Sequence, residues 1–176
     1  MHKKELANEM NQYLTFLLAK EVFALDISQV REVLELKAIT SIPCMPGFMR
    51  GVINLRGNAV PVMDMRNKLG MATGEKTVDT CIIIVEIPCV EGGITMGVMV
   101  DSVREVFEMT SDSIEPAPNM GASLKADYIQ GMGRQDDQFL IIIDISKIFS
   151  PEELSMVAGS PNSMSKRALG GEPFAA

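Results

Sequence analysis

One stretch of this chain is written twice. Residues 23 to 35, FALDISQVREVLE, align without gaps on residues 96 to 108, MGVMVDSVREVFE, and both copies carry V-R-E-V, at 30 to 33 and at 103 to 106. Farther on, FMRGVINLRGNAVPVMDMRNKLG from Phe48 aligns with YIQGMGRQDDQFLIIIDISKIFS from Tyr128, which pairs Gly51 with Gly131 and Asp64 with Asp144. The offset is 73 in the first alignment and 80 in the second, so the second copy is longer. Its extra residues fall in the connector TSDSIEPAPNMGASLKAD. An internal repeat constrains a fold more tightly than composition does, because each copy must build the same supersecondary unit.

Each copy reads as β. The segments YLTFLL, EVFALDI, GVINL and AVPVMDM of the first copy are short, rich in branched and aromatic residues and bounded by turn formers. TCIIIVEI, ITMGVMV and FLIIIDI play the same part in the second. Arg56-Gly57-Asn58 fits a hairpin turn, since glycine tolerates the positive φ that such turns demand. Glu91-Gly92-Gly93 and Gln135-Asp136-Asp137 are the expected turns of the second copy. Helix is confined to short pieces, DMRNKLG and DISKIF behind capping aspartates and a segment from Pro151 to Val157. Short duplicated strands predict two small barrels or sandwiches instead of a parallel α/β sheet.

Composition narrows the function. A net charge of -7 without a local Lys/Arg cluster repels phosphate backbones, so nucleic acid is not an expected partner. The longest apolar runs, Cys81 to Val85 and Phe139 to Ile143, are far short of the roughly 20 residues that span a bilayer. Residues 1 to 12 lack the apolar core of a secretory signal, so a cytoplasmic protein without direct membrane insertion is expected.

No catalytic constellation is legible. The single histidine, His2, lies in a segment expected to fray, which excludes a Ser-His or Cys-His pair in the folded part. Asp64 and Asp144 read as helix caps and Asp136-Asp137 as a solvated turn. Gly131-Met132-Gly133 does not continue as a dinucleotide fingerprint, and Walker and EF-hand patterns are missing. Cys44, Cys81 and Cys89 have no metal or redox spacing and read as reduced structural thiols. No cofactor is expected. The many methionines, Met45, Met49, Met63, Met65, Met96 and Met99 among them, read first as filling for two small cores and second as an adaptable binding surface.

The segment from Ile42 to Asp64, IPCMPGFMRGVINLRGNAVPVMD, resembles the signature stretch of CheW-type chemotaxis coupling proteins. The D-I-x-x-V-x-E-V of Asp26 to Val33, the I-E-P-x-P of Ile114 to Pro118 and the closing Tyr128 to Asp144 are similar to the same family, and together these cover residues 13 to 150. The resemblance implies a mostly β fold of two SH3-like five-stranded barrels with short helices. The expected layout is a flexible N-terminus at 1–12, a first barrel at 13–78, a second barrel with a C-terminal helix at 79–157, and a disordered tail at 158–176. Strand exchange at these boundaries is allowed for.

It further implies a non-enzymatic scaffold, a monomer alone, that joins membrane-associated receptor arrays by binding the regulatory domain of a CheA-type histidine kinase and the cytoplasmic tip of a chemoreceptor. In family terms Glu32 and Arg56 form an ion pair near the receptor-facing groove, with Val30, Val33 and Gly51 close by and Asn54, Leu55 and Gly57 in the matched N-L-R-G stretch. Copy two keeps Glu105 opposite Glu32 but has Asp136 for Arg56 and Asp137 for Gly57. That asymmetry favours a function for Arg56 over a packing role. Two other classes compete: an enzyme on a β-barrel frame, which lacks a folded histidine, metal cluster or phosphate loop, and a kinase regulatory domain in isolation, which shares the fold.

Overall fold

The computed structural model describes residues 10–72, 74–89, 92–116 and 128–158. His2, Glu91, Pro118 and the tail from 159 therefore lie outside the described residues, as does most of the expected flexible N-terminus. Ten strands follow one another: β1 (Met10–Leu18), β2 (Glu21–Asp26), β3 (Val30–Glu35), β4 (Met49–Leu55), β5 (Asn58–Asp64), β6 (Cys81–Cys89), β7 (Gly92–Val100), β8 (Ser102–Thr110), β9 (Ile129–Gln135) and β10 (Gln138–Ile143). Among the described residues helix is limited to α1 (Met65–Lys68), α2 (Pro151–Ala158) and three 3-10 turns. Asp64 caps α1 by accepting from the N–H groups of Arg66 and Asn67, and Asp144 accepts from Ser146 N–H, as capping predicts. DISKIF forms only a 3-10 turn, Ile145–Lys147, and Gly92-Gly93 opens β7 by pairing with Cys89 and Pro88.

The strands form two five-stranded sheets of order β8-β1-β2-β10-β9 and β3-β6-β7-β5-β4. These orders are one topology used twice, with β6, β7 and β3 of one sheet matching β1, β2 and β8 of the other. Register agrees residue for residue: Val62 pairs with Gly97 in parallel between β5 and β7, and Ile142 pairs with Ala24 between β10 and β2. Past the end of β3 and of β8 the chain reaches the opposite edge of its sheet through an isolated bridge, Thr40 to Val52 of β4 in one and Glu115 to Met132 of β9 in the other. The repeated glycines explain themselves there. A Cβ on Gly51 would overlap the Thr40 carbonyl oxygen, and one on Gly131 would lie 2.9 Å from that of Glu115.

Neither sheet keeps to one half of the chain. Residues 13–78 supply β1 and β2 to one sheet and β3, β4 and β5 to the other, so a cut at 78 runs through both. Link lengths compel this. β2 and β8 both run antiparallel to β1, so they are parallel to each other and the end of one is a full strand length from the start of the other. A nine-residue strand such as β6 spans about 30 Å, whereas the single residue Asp101 between β7 and β8 bridges about 7 Å. β8 therefore passes straight from one sheet into the other. Ile27–Gln29 carries β2 into β3 in the same way. In space, the β3 to β7 sheet is one contiguous segment, 30–100, inserted into a sheet built from the two ends of the chain.

The core has three parts. Ile53, Leu55, Val60, Val62, Ile82, Ile84 and Met99 fill the contiguous sheet, and Tyr13, Val22, Ala24, Met109, Leu140 and Ile142 fill the other. The largest cluster joins residues of both sheets, among them Phe16, Phe23, Met63, Met65, Val85, Met96, Val98 and Ile143. Met49, Met63, Met65, Met96 and Met99 are all buried, in agreement with core filling. Cys44 is exposed, at φ +63° in the turn between Pro43 and Pro46, so its thiol is not the small core hydrophobe expected.

Candidate functional site

Strand β3 is an edge strand whose side chains alternate between half-buried (Val30, Glu32, Leu34) and exposed (Arg31, Val33, Glu35). Strands β4 and β5 turn through Arg56 and Gly57 at φ +51° and +87°, the two positive values of a type I′ hairpin. Asn54 holds the turn by accepting Gly57 N–H on Oδ1 at 2.8 Å, and Lys37 Nζ donates to the Asn54 carbonyl at 2.9 Å. The turn aims Arg56 across the gap between the end strands. Its Nη2 donates to Glu32 Oε1 at 2.9 Å, and the hydrogen bond and charge of Glu32 raise the Arg56 pKa above its ordinary value. Arg56 is 71% exposed and Glu32 28%, so the pair sits on the surface with a free guanidinium face. A depression of about 220 Å³ beside it is lined by Thr40, Val52, Asn54, Gly57 and Asn58 among others.

The other named residues divide by accessibility. Val33 is 40% exposed but points to the face opposite Glu32, because neighbours on a strand alternate. Val30 packs partly against the core between the sheets. Gly51 and Leu55 are buried, so neither presents a side chain to a partner; Gly51 admits the Thr40 backbone and Leu55 anchors the hairpin from below. Alternation along GVINL, which sets 51, 53 and 55 on one face, carries the signal for that.

Copy two repeats the geometry with an uncharged donor. Asp136 takes the turn position of Arg56 at φ +55°, but Gln135 Nε2 makes the reach, donating to Glu105 Oε1 at 3.0 Å. Both copies bulge at the strand carrying the glutamate, between Val30 and Glu32 and opposite Thr15 between Leu14 and Phe16. Closing the gap between end strands therefore requires no arginine. Val106, which matches Val33, is likewise exposed, and Arg134 lies 5.2 Å from the ring centroid of exposed Phe139.

The structure is a duplicated all-β frame in which a charged hairpin closes onto an edge strand. The family model described as CheW-like domain matches residues 12–153. The chemotaxis protein CheW of Klebsiella aerogenes is 34% identical over 146 residues, covering 83% of this chain and 86% of the relative, and that of Bacillus subtilis is 30% identical over 140 residues, covering 79% and 86%. The crystal structure of scaffolding protein TtCheW from Thermoanaerobacter tengcongensis superposes with a TM-score of 0.73 at 36% identity, covering 82% of this chain and 96% of that one. The chain belongs to the CheW-like family of chemotaxis scaffold proteins.

Proposed function

We propose that this chain is a non-enzymatic cytoplasmic adaptor that couples methyl-accepting chemoreceptors to a CheA-type histidine kinase. It would bind the receptor's cytoplasmic tip along the edge where β3 meets the Arg56 hairpin, with Glu32, Asn54, Arg56 and Gly57 on one side of that edge and Val33 on the other, and the kinase regulatory domain through a separate surface. The observation that carries this reading, beside the family itself, is that Arg56 makes an exposed ion pair where the second copy reaches its glutamate with the uncharged Gln135. An arginine unnecessary for closure is available for recognition, and its planar fork suits carboxylate or carbonyl partners on a receptor helix. Val33 adds exposed apolar surface on the same edge strand.

Reconstitution tests it. Adding the chain to receptor-bearing vesicles and kinase should raise phosphoryl output, with no turnover by the chain alone. Arg56→Ala should abolish that rise while shifting the melting midpoint by no more than about 4 °C, because exposed pairs contribute little to stability. Val33→Asp, at an exposed position, should weaken receptor binding with the circular dichroism spectrum retained. Full stimulation by both variants would remove this face from the reading.

A further inference from the structure

The core between the sheets is rich in methionine, whose flexible side chains specify a relative orientation less sharply than branched ones do. Directional contacts across the same seam radiate from α1. Arg66 Nε donates to Asp101 Oδ1 at 2.8 Å, and its Nη2 pairs with Oδ2. Asp101 is the lone residue between β7 and β8, and it grips the other sheet as well: its Oδ2 accepts Ala19 N–H at 2.9 Å and its own N–H donates to Leu17 at 3.1 Å. Two residues along, Lys68 Nζ lies 3.1 and 3.0 Å from the carboxylate oxygens of Glu153 in α2, the helix that follows β10 of the far sheet. The same ammonium stands 4.8 Å from the Phe48 ring centroid and 5.7 Å from that of Phe149.

Both prongs are built in. The side chains of Arg66 and Lys68 are only 19% and 16% exposed. Arg66 also donates to the Ala72 carbonyl at 3.0 Å, and the glycine at 74 leaves room for its guanidinium, which a Cβ there would strike. Glu153 is fixed by a reciprocal capping box, accepting Ser150 N–H at 2.8 Å while Ser150 Oγ accepts its own N–H at 3.1 Å.

We propose that Arg66 and Lys68 are positioning residues: α1 is a two-pronged clasp that holds the two sheets in one relative orientation, and through it the two partner surfaces in register. This rests on the scaffold reading, with the kinase surface placed on the sheet of β1, β2, β8, β9 and β10 opposite the Arg56 hairpin, under which a coupling protein must transmit geometry as well as bind. Individual binding faces do not depend on the clasp; their relative placement does.

The test is the double variant Arg66→Met/Lys68→Met in the full chain, where methionine keeps the stems packed. Residual dipolar couplings of the nitrogen-15-labelled protein report inter-sheet orientation directly. One alignment tensor should fit both sheets of the wild type, and separate tensors should be needed for the variant, with couplings inside each sheet unchanged. Affinities for isolated receptor fragment and kinase domain should stay within about threefold, while stimulation of the kinase in the ternary assembly falls about tenfold. A single tensor still fitting the folded variant, or undiminished stimulation, overturns the clasp. If the wild type binds neither partner, the scaffold reading fails, and the tensors still judge the clasp. Should the double variant not fold, Lys68→Met, which leaves Asp101 and Arg66 joined, is read by the same criteria.

Discussion

Ala19 and Lys20 turn the β1–β2 hairpin at φ +50° and +75°, left-handed values that cost an L side chain about 1–2 kcal/mol each relative to glycine. Asp101 offsets part of this by accepting Ala19 N–H. Lys20→Gly should therefore stabilise the protein by about 1 kcal/mol, read from the urea midpoint; a loss would assign Lys20 a contact of its own. At this scale much was legible in the sequence. The caps Asp64 and Asp144, the Arg56-Gly57 turn and the buried methionines follow from local chemistry. The Glu32–Arg56 pairing came instead from family resemblance, and nothing local marks Gln135 as its counterpart. Asp101 reads as an ordinary acidic residue until its neighbours in space are known.

Strands β3, β8 and β9 show why some elements escape inspection. V-R-E-V-L-E and V-R-E-V-F-E are edge strands with charged residues on their exposed positions, so they lack the apolar density that picks out β6 or β10. Met10 to Gln12, grouped by sequence with the flexible N-terminus, lengthen β1 because β8 extends to pair with them. The β8 bulge has its own fastener: buried Thr15 donates from Oγ1 to the Glu105 carbonyl at 2.7 Å and accepts Glu105 N–H at 3.1 Å. Thr15→Val, nearly the same shape, should leave both backbone groups unpaired and cost about 1–3 kcal/mol by chemical denaturation. Amide exchange should quicken at Glu105 and not at Glu32. Equal stability would mean that the bulge holds without the hydroxyl.

For the molecule as a whole, the acid limb of stability should be shared by two carboxyls of the seam and by Asp144. Asp144 is held low because burial, which would raise it, is outweighed by the Ser146 and Gln29 hydrogen bonds and by Lys147. The Arg66 hydrogen bonds hold the Asp101 carboxyl below its usual range, and Glu153 is also lowered, since burial, which would raise it, is outweighed by Ser150 and Lys68. A carboxylate with a depressed native pKa adds stability above its unfolded value and loses it as pH falls through the native one. Melting midpoints should thus be flat from pH 7 to about 5 and drop below about 4, and the drop should shrink in Arg66→Met/Lys68→Met. A decline already complete by pH 5 would point to other groups. The duplication was plain in the sequence and strand exchange was allowed for, but which strands cross was not legible, because the one-residue link shows only once V-R-E-V is known to be a strand. That link also bears on ancestry. A polypeptide with a single copy and such a link could complete a sheet only with a sibling chain, as an obligate pair of identical halves bound to carry identical surfaces. Fused in tandem, the halves meet at fixed stoichiometry at any concentration, and each is free to drift: one carries Arg56, the other Gln135.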